Sequence, residues 1–113
     1  MTRVCYDRSN LSLSMDGHAG AEEKGNDLVC AALSALMMTL ERRMEETAEQ
    51  TLPVVSRSPG HFAIRCTPGI EDEALCRESF DTVAAGFAVL AENRPENVSL
   101  TLTGEETEQE DDE

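Results

Sequence analysis

A cysteine and a histidine twelve positions apart are the side chains of this sequence that best suit nucleophilic chemistry. Cys30 falls in the predicted first turn of a helix, where unpaired backbone N–H groups and the helix dipole favour a thiolate. His18 ends a predicted strand, and the loop between the two is long enough to bring an imidazole to the sulfur. A thiol beside an imidazole that accepts its proton is a nucleophile with its base.

A purely structural interpretation of the same two residues is equally simple. Cys30 is then a small apolar residue of a buried helix, and His18 only follows Gly17 in a turn. Single cysteines and histidines are common, and their arrangements do not transfer between protein families. Taken alone, the two residues leave both interpretations open.

Length and charge divide the chain into a body and a tail. The 113 residues fit one compact domain, and 23 acidic against 9 basic residues give a net charge of -14. The segment from Glu105 to Glu113 carries seven of the acidic residues, which leaves the body at -14 + 7 = -7. A block of like charges without apolar residues does not offset its ordering entropy. We therefore predict a single domain over 1–104 and a disordered acidic tail over 105–113.

The acidic body restricts the partners and the location of the protein. It argues against direct binding of nucleic acid and favours a basic partner. The longest apolar stretch, from Leu28 to Leu40, has thirteen residues, whereas a membrane-spanning helix needs about 20. Charged residues near the N-terminus interrupt any signal peptide. The sequence thus predicts a cytoplasmic protein with reduced thiols and no membrane segment.

The remaining thiols and the second histidine suggest neither a metal nor a cofactor. No two cysteines form a C-x-x-C pair, and potential metal ligands are not clustered, so a metal site is the weakest functional interpretation. We assign Cys5, Cys66 and Cys76 to packing. His61 opens a predicted strand after a Pro-Gly turn and is expected to be structural or exposed.

The pattern of apolar residues predicts seven elements in the order ββαββαβ. Alternation indicates strands, and four-three spacing indicates helices. The predicted ranges are 3–7, 11–17, 26–50, 52–57, 61–67, 72–92 and 98–103. Two helices on one face of a largely antiparallel five-stranded sheet make a two-layer α+β sandwich.

The two helices differ in pattern. The first, capped by Asn26 or Asp27, is apolar nearly all round its first turns, which predicts central burial. Its methionines are expected in the core or at a dimer contact rather than in a substrate groove: Met37, Met38 and Met44. The second, capped by Asp72, has one apolar face for the sheet, formed by Cys76, Phe80, Val83, Phe87 and Leu90. Before the first helix, Gly20 and Gly25 border a predicted mobile loop, either a lid or an idle surface segment.

The stretch from Asp16 to Leu36 resembles the signature of a known family, the bacterial ribosomal-processing cysteine proteases called Prp. The resemblance covers a GHAG element at 17–20, a GNDLVCAALSAL element at 25–36 and the gap between them. The ββαββαβ order over 1–104 is also similar to that family. Downstream of residue 36 the resemblance is one of pattern alone, and the acidic tail is a departure from the family core.

This resemblance implies a function and a site. It implies that His18 and Cys30 form a catalytic dyad and that Asp27 and Ser34 occupy two further characteristic positions. It also implies a homodimer. The implied substrate is the basic precursor of the twenty-seventh protein of the large ribosomal subunit, whose short N-terminal extension is removed after an aromatic residue in a hydrophobic segment.

Chemistry offers each supporting residue two roles. Asp27 either orients His18 and supports the loop or caps the helix. Ser34, one turn after Cys30, either bonds the active-site backbone or bonds back within its own helix. Gly17 either permits a close backbone approach or an unusual φ, or is a plain turn glycine. Backbone N–H groups at the helix start near Cys30 are candidate oxyanion donors.

The competing function is a non-catalytic, acidic, dimeric binding protein. Such a ribosome-assembly or regulatory module would bind basic proteins through charge. Binding alone does not need His18 and Cys30 at an intact spacing, and their joint presence favours the endopeptidase.

Overall fold

The structure, a computed structural model, describes residues 1–17 and 24–104, with side chains omitted at 24–27. Its elements follow the predicted ββαββαβ order, with one short extra helix, α2, and a 3-10 turn at Ile70–Asp72. The α+β class is confirmed. The bounds are β1 Thr2–Asp7, β2 Ser12–Gly17, α1 Lys24–Glu46, α2 Ala48–Thr51, β3 Val54–Ser58, β4 His61–Arg65, α3 Glu73–Asn93 and β5 Val98–Thr103.

The five strands form one sheet in the order β3-β4-β2-β1-β5. All neighbours are antiparallel except β1 and β5, which are parallel. The register sets Val4 opposite Met15, and Met15 opposite Phe62, so these side chains share one face of the sheet. Arg3 and Cys5 alternate with Val4 and therefore lie on the other face.

One continuous core joins that face to both long helices. It includes Leu13 and Ile64 from the sheet, Leu33 from α1, and Phe80 and Phe87 from α3. Because the strand members of the core all come from a single face, α1 and α3 both cover that face. The predicted two-layer arrangement is confirmed.

The expectation that the first turns of α1 are centrally buried is wrong. Its buried positions recur along one stripe, while Leu28 and Met38 are 73% and 54% exposed. The helix lies on the sheet with α3 on one flank, so its remaining surface faces solvent even where the residues are apolar. The buried stripe consists of Val29, Leu33, Met37, Leu40 and Met44.

The predicted start of α1 is also wrong. The helix begins at Lys24, so Gly25, Asn26 and Asp27 lie in its first turn rather than in a loop or at a cap. Gly25 and the capping residue types at 26 and 27 predict a later start, but the helical backbone extends through them to Lys24. Residues 18–23, which hold Gly20 and most of the predicted loop, and the predicted tail at 105–113 lie outside the described residues.

The apolar face predicted for α3 is confirmed except at Leu90, which is only partly buried. The helix ends at Asn93, before Pro95. Asp72 occupies the N-cap position, but its carboxylate makes no capping hydrogen bond. Across the described ranges, no helix combines the length and the apolar character that crossing a membrane requires.

Candidate active site

An open cavity of about 530 Å³ lies where the first half of α1 meets the sheet. Its wall includes residues from the start of β1, the end of β2 and the turn between β3 and β4. The apolar part of the wall consists of Met15, Leu33, Met38 and Phe62. A largely apolar hollow with a few polar groups is the usual form of a ligand site, and this volume lies within the usual range of roughly 300–1,000 Å³.

Cys30 is part of this wall and is partly buried. It is the seventh residue of α1, so the prediction that it lies in the first turn is wrong, because the helix begins earlier than expected. The four backbone N–H groups without helical acceptors belong to the first turn. The N–H of Cys30 is therefore not one of them, and the helix start does not supply an oxyanion donor at this residue.

His18, the other member of the predicted dyad, comes directly after a residue of the cavity wall in the sequence. Gly17 ends β2 and lines the cavity, and His18 is the next residue along the chain. His18 itself and the side chain of Asp27 lie outside what the structure describes. The dyad geometry therefore stays a prediction, whereas the strand that leads into His18 ends in the same cavity as Cys30.

Gly17 has the unusual backbone conformation that the sequence offered as one alternative. Its φ is +100°, and a Cβ added there would lie 2.5 Å from the carbonyl oxygen of Met1. Its N–H donates a hydrogen bond of 2.8 Å to the carbonyl of Gly60 in the β3–β4 turn. Both the conformation and the close approach of β1 require glycine at this point.

Ser34 also lines the cavity, one turn after Cys30. Within the described residues its hydroxyl makes no hydrogen bond, although other helical hydroxyls of this chain bond back to the preceding turn. Thr39 donates to the carbonyl of Ala35 at 2.7 Å, and Ser79 donates to that of Leu75 at 3.1 Å. Neither bond predicted for Ser34, to the active-site backbone or within its own helix, is thus observed among the described residues.

The methionines of α1 lie in two different environments. Met37 and Met44 are fully buried, which confirms their assignment to the core. Met38 is 54% exposed and lines the cavity, so the core is wrong as its location, and the alternative of a dimer contact stays a prediction. It lies one position beyond the buried stripe, on the part of α1 that faces the β3–β4 turn.

Arg57 is a member of the cavity wall that sequence reasoning missed. Its guanidinium carbon lies 4.4 Å from the centroid of the Phe62 ring, and the group also forms an ion pair with Glu41 of α1. The ion pair joins the β3–β4 hairpin to α1, whereas the contact with the ring lies within the hairpin, where Arg57 and Phe62 are register partners. Glu41 meets Arg57 and Phe62 only when α1 packs against the hairpin, so the spacing of these residues in the sequence does not predict the cluster.

His61, at the cavity edge, is paired with a carboxylate. Its Nδ1 lies 2.6 Å from Oδ1 of Asp16, its partner in the β2–β4 register. Because Asp16 alternates with Met15 along β2, this pair lies on the sheet face away from α1. His61 is therefore partly exposed and ion-paired, in line with the predicted alternatives of a structural or an exposed residue.

The remaining thiols differ in their surroundings. Cys66 and Cys76 are 3% and 0% exposed, which confirms their assignment to packing. Burial raises the pKa of Cys66 to about 12, and it raises the pKa of Cys76 as well. Cys5 is only partly buried and is outside the core, because it lies on the sheet face that the helices do not cover. For Cys5 the packing prediction is wrong.

The described parts of the chain contain no group of three or more histidine, cysteine or acidic side chains placed to hold a metal ion. The side chains of the cavity wall offer a thiol, hydroxyls and the guanidinium of Arg57 in a mostly apolar hollow.

In the folded protein, iodoacetamide is expected to alkylate Cys30 at neutral pH and to spare Cys66 and Cys76. The reagent reacts with thiolates, and the two buried thiols are both inaccessible and held protonated by their raised pKa values. Peptide mass spectrometry over a time course measures each site, with the unfolded protein as the control in which all four react. Equal labelling of Cys30 and Cys66 in the folded state would contradict this assignment.

Comparison with known proteins identifies the family. The family model described as cysteine protease Prp matches residues 1–99. A Staphylococcus aureus protein named ribosomal processing cysteine protease Prp is 32% identical over 87 residues, which are 76% of this chain and 80% of the relative.

Solved structures agree with this match. The S. aureus Prp protease crystallised with a covalently linked product peptide has a TM-score of 0.76 and 26% identity, over 91% of this chain and 100% of the relative. A Streptococcus mutans protein has a TM-score of 0.68 and 27% identity, over 90% and 91% of the two chains. This chain is therefore a cysteine protease and belongs to the Prp family.

Proposed function

We propose that this protein is a ribosomal-processing endopeptidase. It removes the N-terminal extension from the precursor of the twenty-seventh protein of the large ribosomal subunit and cuts after an aromatic residue. The observation that carries the proposal is the position of Cys30 in the wall of a largely apolar open cavity where β2 ends just before His18. The S. aureus relatives named for ribosomal processing support the choice of substrate.

In the first half of the reaction, His18 accepts the proton of the Cys30 thiol. The thiolate sulfur then attacks the carbonyl carbon of the scissile peptide bond. The C–N bond breaks as His18 returns the proton to the leaving amine. The products of this step are the shortened protein, with a new amino terminus, and a thioester between Cys30 and the extension.

In the second half, water replaces the amine. His18 takes a proton from the water, whose oxygen attacks the thioester carbonyl. The carbon–sulfur bond breaks, and the proton passes to the sulfur of Cys30. The extension leaves with a free carboxyl terminus, and the thiol–imidazole pair is restored.

Three residues have supporting roles in this proposal. Asp27 orients His18, a role favoured over helix capping because residue 27 lies inside α1, three positions before Cys30. Ser34 presents a hydroxyl to the cavity and holds the bound chain near the sulfur. Gly17 permits the backbone turn that directs the chain from β2 into His18.

The substrate class follows from the wall and the charge. Met15, Leu33, Met38 and Phe62 provide an apolar surface for the side chain next to the scissile bond. The net charge of -14 attracts a basic ribosomal precursor rather than nucleic acid. In this proposal the enzyme acts in the cytoplasm, as a homodimer, without a metal or cofactor.

The test is cleavage of a synthetic peptide that spans the extension junction of the ribosomal precursor encoded in the same genome. The protein is expected to cut it at one bond, after the aromatic residue, and mass spectrometry identifies both products. A peptide in which aspartate replaces the aromatic residue is the matched control and should stay intact. A junction peptide that stays intact, or a genome whose precursor has no extension, would refute the proposed substrate.

The same assay tests whether the acidic segment 105–113 attracts the substrate. A chain that ends at Gly104 is expected to show a lower kcat/KM at low ionic strength and an unchanged kcat/KM at high ionic strength, because long-range attraction is screened by salt. Equal losses at every ionic strength would instead place this segment in the catalytic machinery or in the fold.

A further inference from the structure

Thr2 is a buried polar residue in the wall of the Cys30 cavity. It is the first residue of β1 and is only 2% exposed. It alternates with Arg3 and shares the face of Val4, so its side chain lies on the side of the sheet that α1 covers. Its register partner is Gly17, the residue before His18. Thr2 thus lines the same cavity as Cys30 and pairs with the residue that precedes His18 in the sequence.

The backbone N–H of Thr2 has a hydrogen-bond partner, whereas its hydroxyl has none within the part of the chain that the structure describes. The N–H donates to the carbonyl of Asn97 at 2.8 Å. The Oγ1 has no hydrogen-bond partner among residues 1–17 and 24–104, as far as their side chains are described. A buried hydroxyl that exchanges water for no partner costs free energy, and buried polar groups are nearly always paired.

Thr51 is a second buried threonine, and its hydroxyl is hydrogen bonded. Its residue is 0% exposed, and its hydroxyl donates to the carbonyls of Thr47 and Met44 at 3.0 and 3.4 Å. Thr2 lacks such bonds and lies instead beside an open hollow whose wall is mostly apolar. An extended peptide in that hollow loses water from its own N–H and C=O groups, and the hydroxyl can replace one of those lost bonds.

We propose that Thr2 is a substrate-positioning residue whose hydroxyl hydrogen bonds a main-chain group of the bound peptide next to the scissile bond. The inference rests on the proposed function, because it takes an extended peptide as the occupant of the cavity. Thr2 acts on the substrate in this proposal and leaves the chemistry of the Cys30 thiol unchanged.

The kinetic test uses Thr2→Val, which removes the hydroxyl at nearly constant volume, and Thr2→Ser, which keeps it. Thr2→Val is expected to lower kcat/KM for the junction peptide about tenfold, mainly through KM, and Thr2→Ser to retain most of the wild-type value. Alkylation of Cys30 by iodoacetamide needs no docked peptide and should proceed at the wild-type rate in both variants. Slower alkylation of Thr2→Val would overturn the proposal, since the hydroxyl would then act on the thiol or its base.

Thermal unfolding separates this role from a structural one. Thr2→Val should melt at or above the wild-type temperature, because it removes a buried hydroxyl that no described residue of the free protein bonds. The matched control Thr51→Val should melt several degrees lower, because it loses a buried hydroxyl whose hydrogen is shared between two helix carbonyls. A lowered melting temperature for Thr2→Val would overturn the inference. If wild type cleaves the junction peptide and Thr2→Val has the same kcat/KM, the role of Thr2 is refuted and the proposed function stands. If wild type neither binds nor cleaves the peptide, the proposed function is refuted, and with it the role of Thr2.

Discussion

Cys30→Ala is expected to abolish cleavage of the junction peptide, with a loss in kcat of at least about 10³-fold. In the proposed mechanism the sulfur forms the covalent intermediate, and no other thiol in the described part of the cavity wall can take its place. The substitution should leave the fold intact, because Cys30 is only partly buried and lies beside the core rather than within it. Single-turnover mass spectrometry measures the residual rate, and circular dichroism checks the fold.

Cys5→Ala is the matched control for that experiment. Cys5 is also a partly buried free cysteine, but it lies on the sheet face away from α1 and outside the cavity. Its replacement should leave the cleavage rate within about twofold of wild type, as is usual for substitutions away from the reacting groups. Cleavage by Cys30→Ala at the wild-type rate would remove this residue from the mechanism, whatever the family resemblance implies.

The strands and α3 were predictable from sequence because local pattern and tertiary environment agree there. Alternation placed Leu13 in the core, and four-three spacing placed Phe80 and Phe87 there too. In α1 the local pattern and the tertiary environment disagree. A helix whose first turns are apolar on all sides gives no sign of which side will be left uncovered, and Leu28 and Met38 became exposed because the sheet and α3 cover only part of its circumference.

The candidate site was predictable only where a contiguous motif carries it. Cys30 and Ser34 belong to one helical segment, so their shared face follows from their spacing. Thr2 and Arg57 come from distant parts of the chain, and only the strand register and the packing of the β3–β4 hairpin bring them to the cavity. Their residue types, a threonine and an arginine in short strands, carry no signal of a site.

Gly17→Ala is expected to damage both the fold and the site. The φ of +100° is rarely accessible to a residue with a side chain, and the new Cβ would lie 2.5 Å from the Met1 carbonyl oxygen, a backbone atom that moves only if β1 moves. Backbone strain and overpacking together are expected to cost roughly 2–4 kcal/mol of the free energy of unfolding. For a domain of this size, such a loss lowers the melting temperature by about 10 °C or more.

The same substitution should reduce kcat/KM even at temperatures where the variant is folded. Relief of the contact with Met1 requires β2 to shift its last residue, and His18 is attached directly to that residue. Gly69→Ala is the matched control, because its φ is -69° and an added Cβ meets no atom within 4 Å. Calorimetry and the peptide assay on both variants decide the matter. If Gly17→Ala unfolds and cleaves like Gly69→Ala, then neither the positive φ nor the close approach of β1 constrains this end of β2, and the cavity does not depend on glycine there.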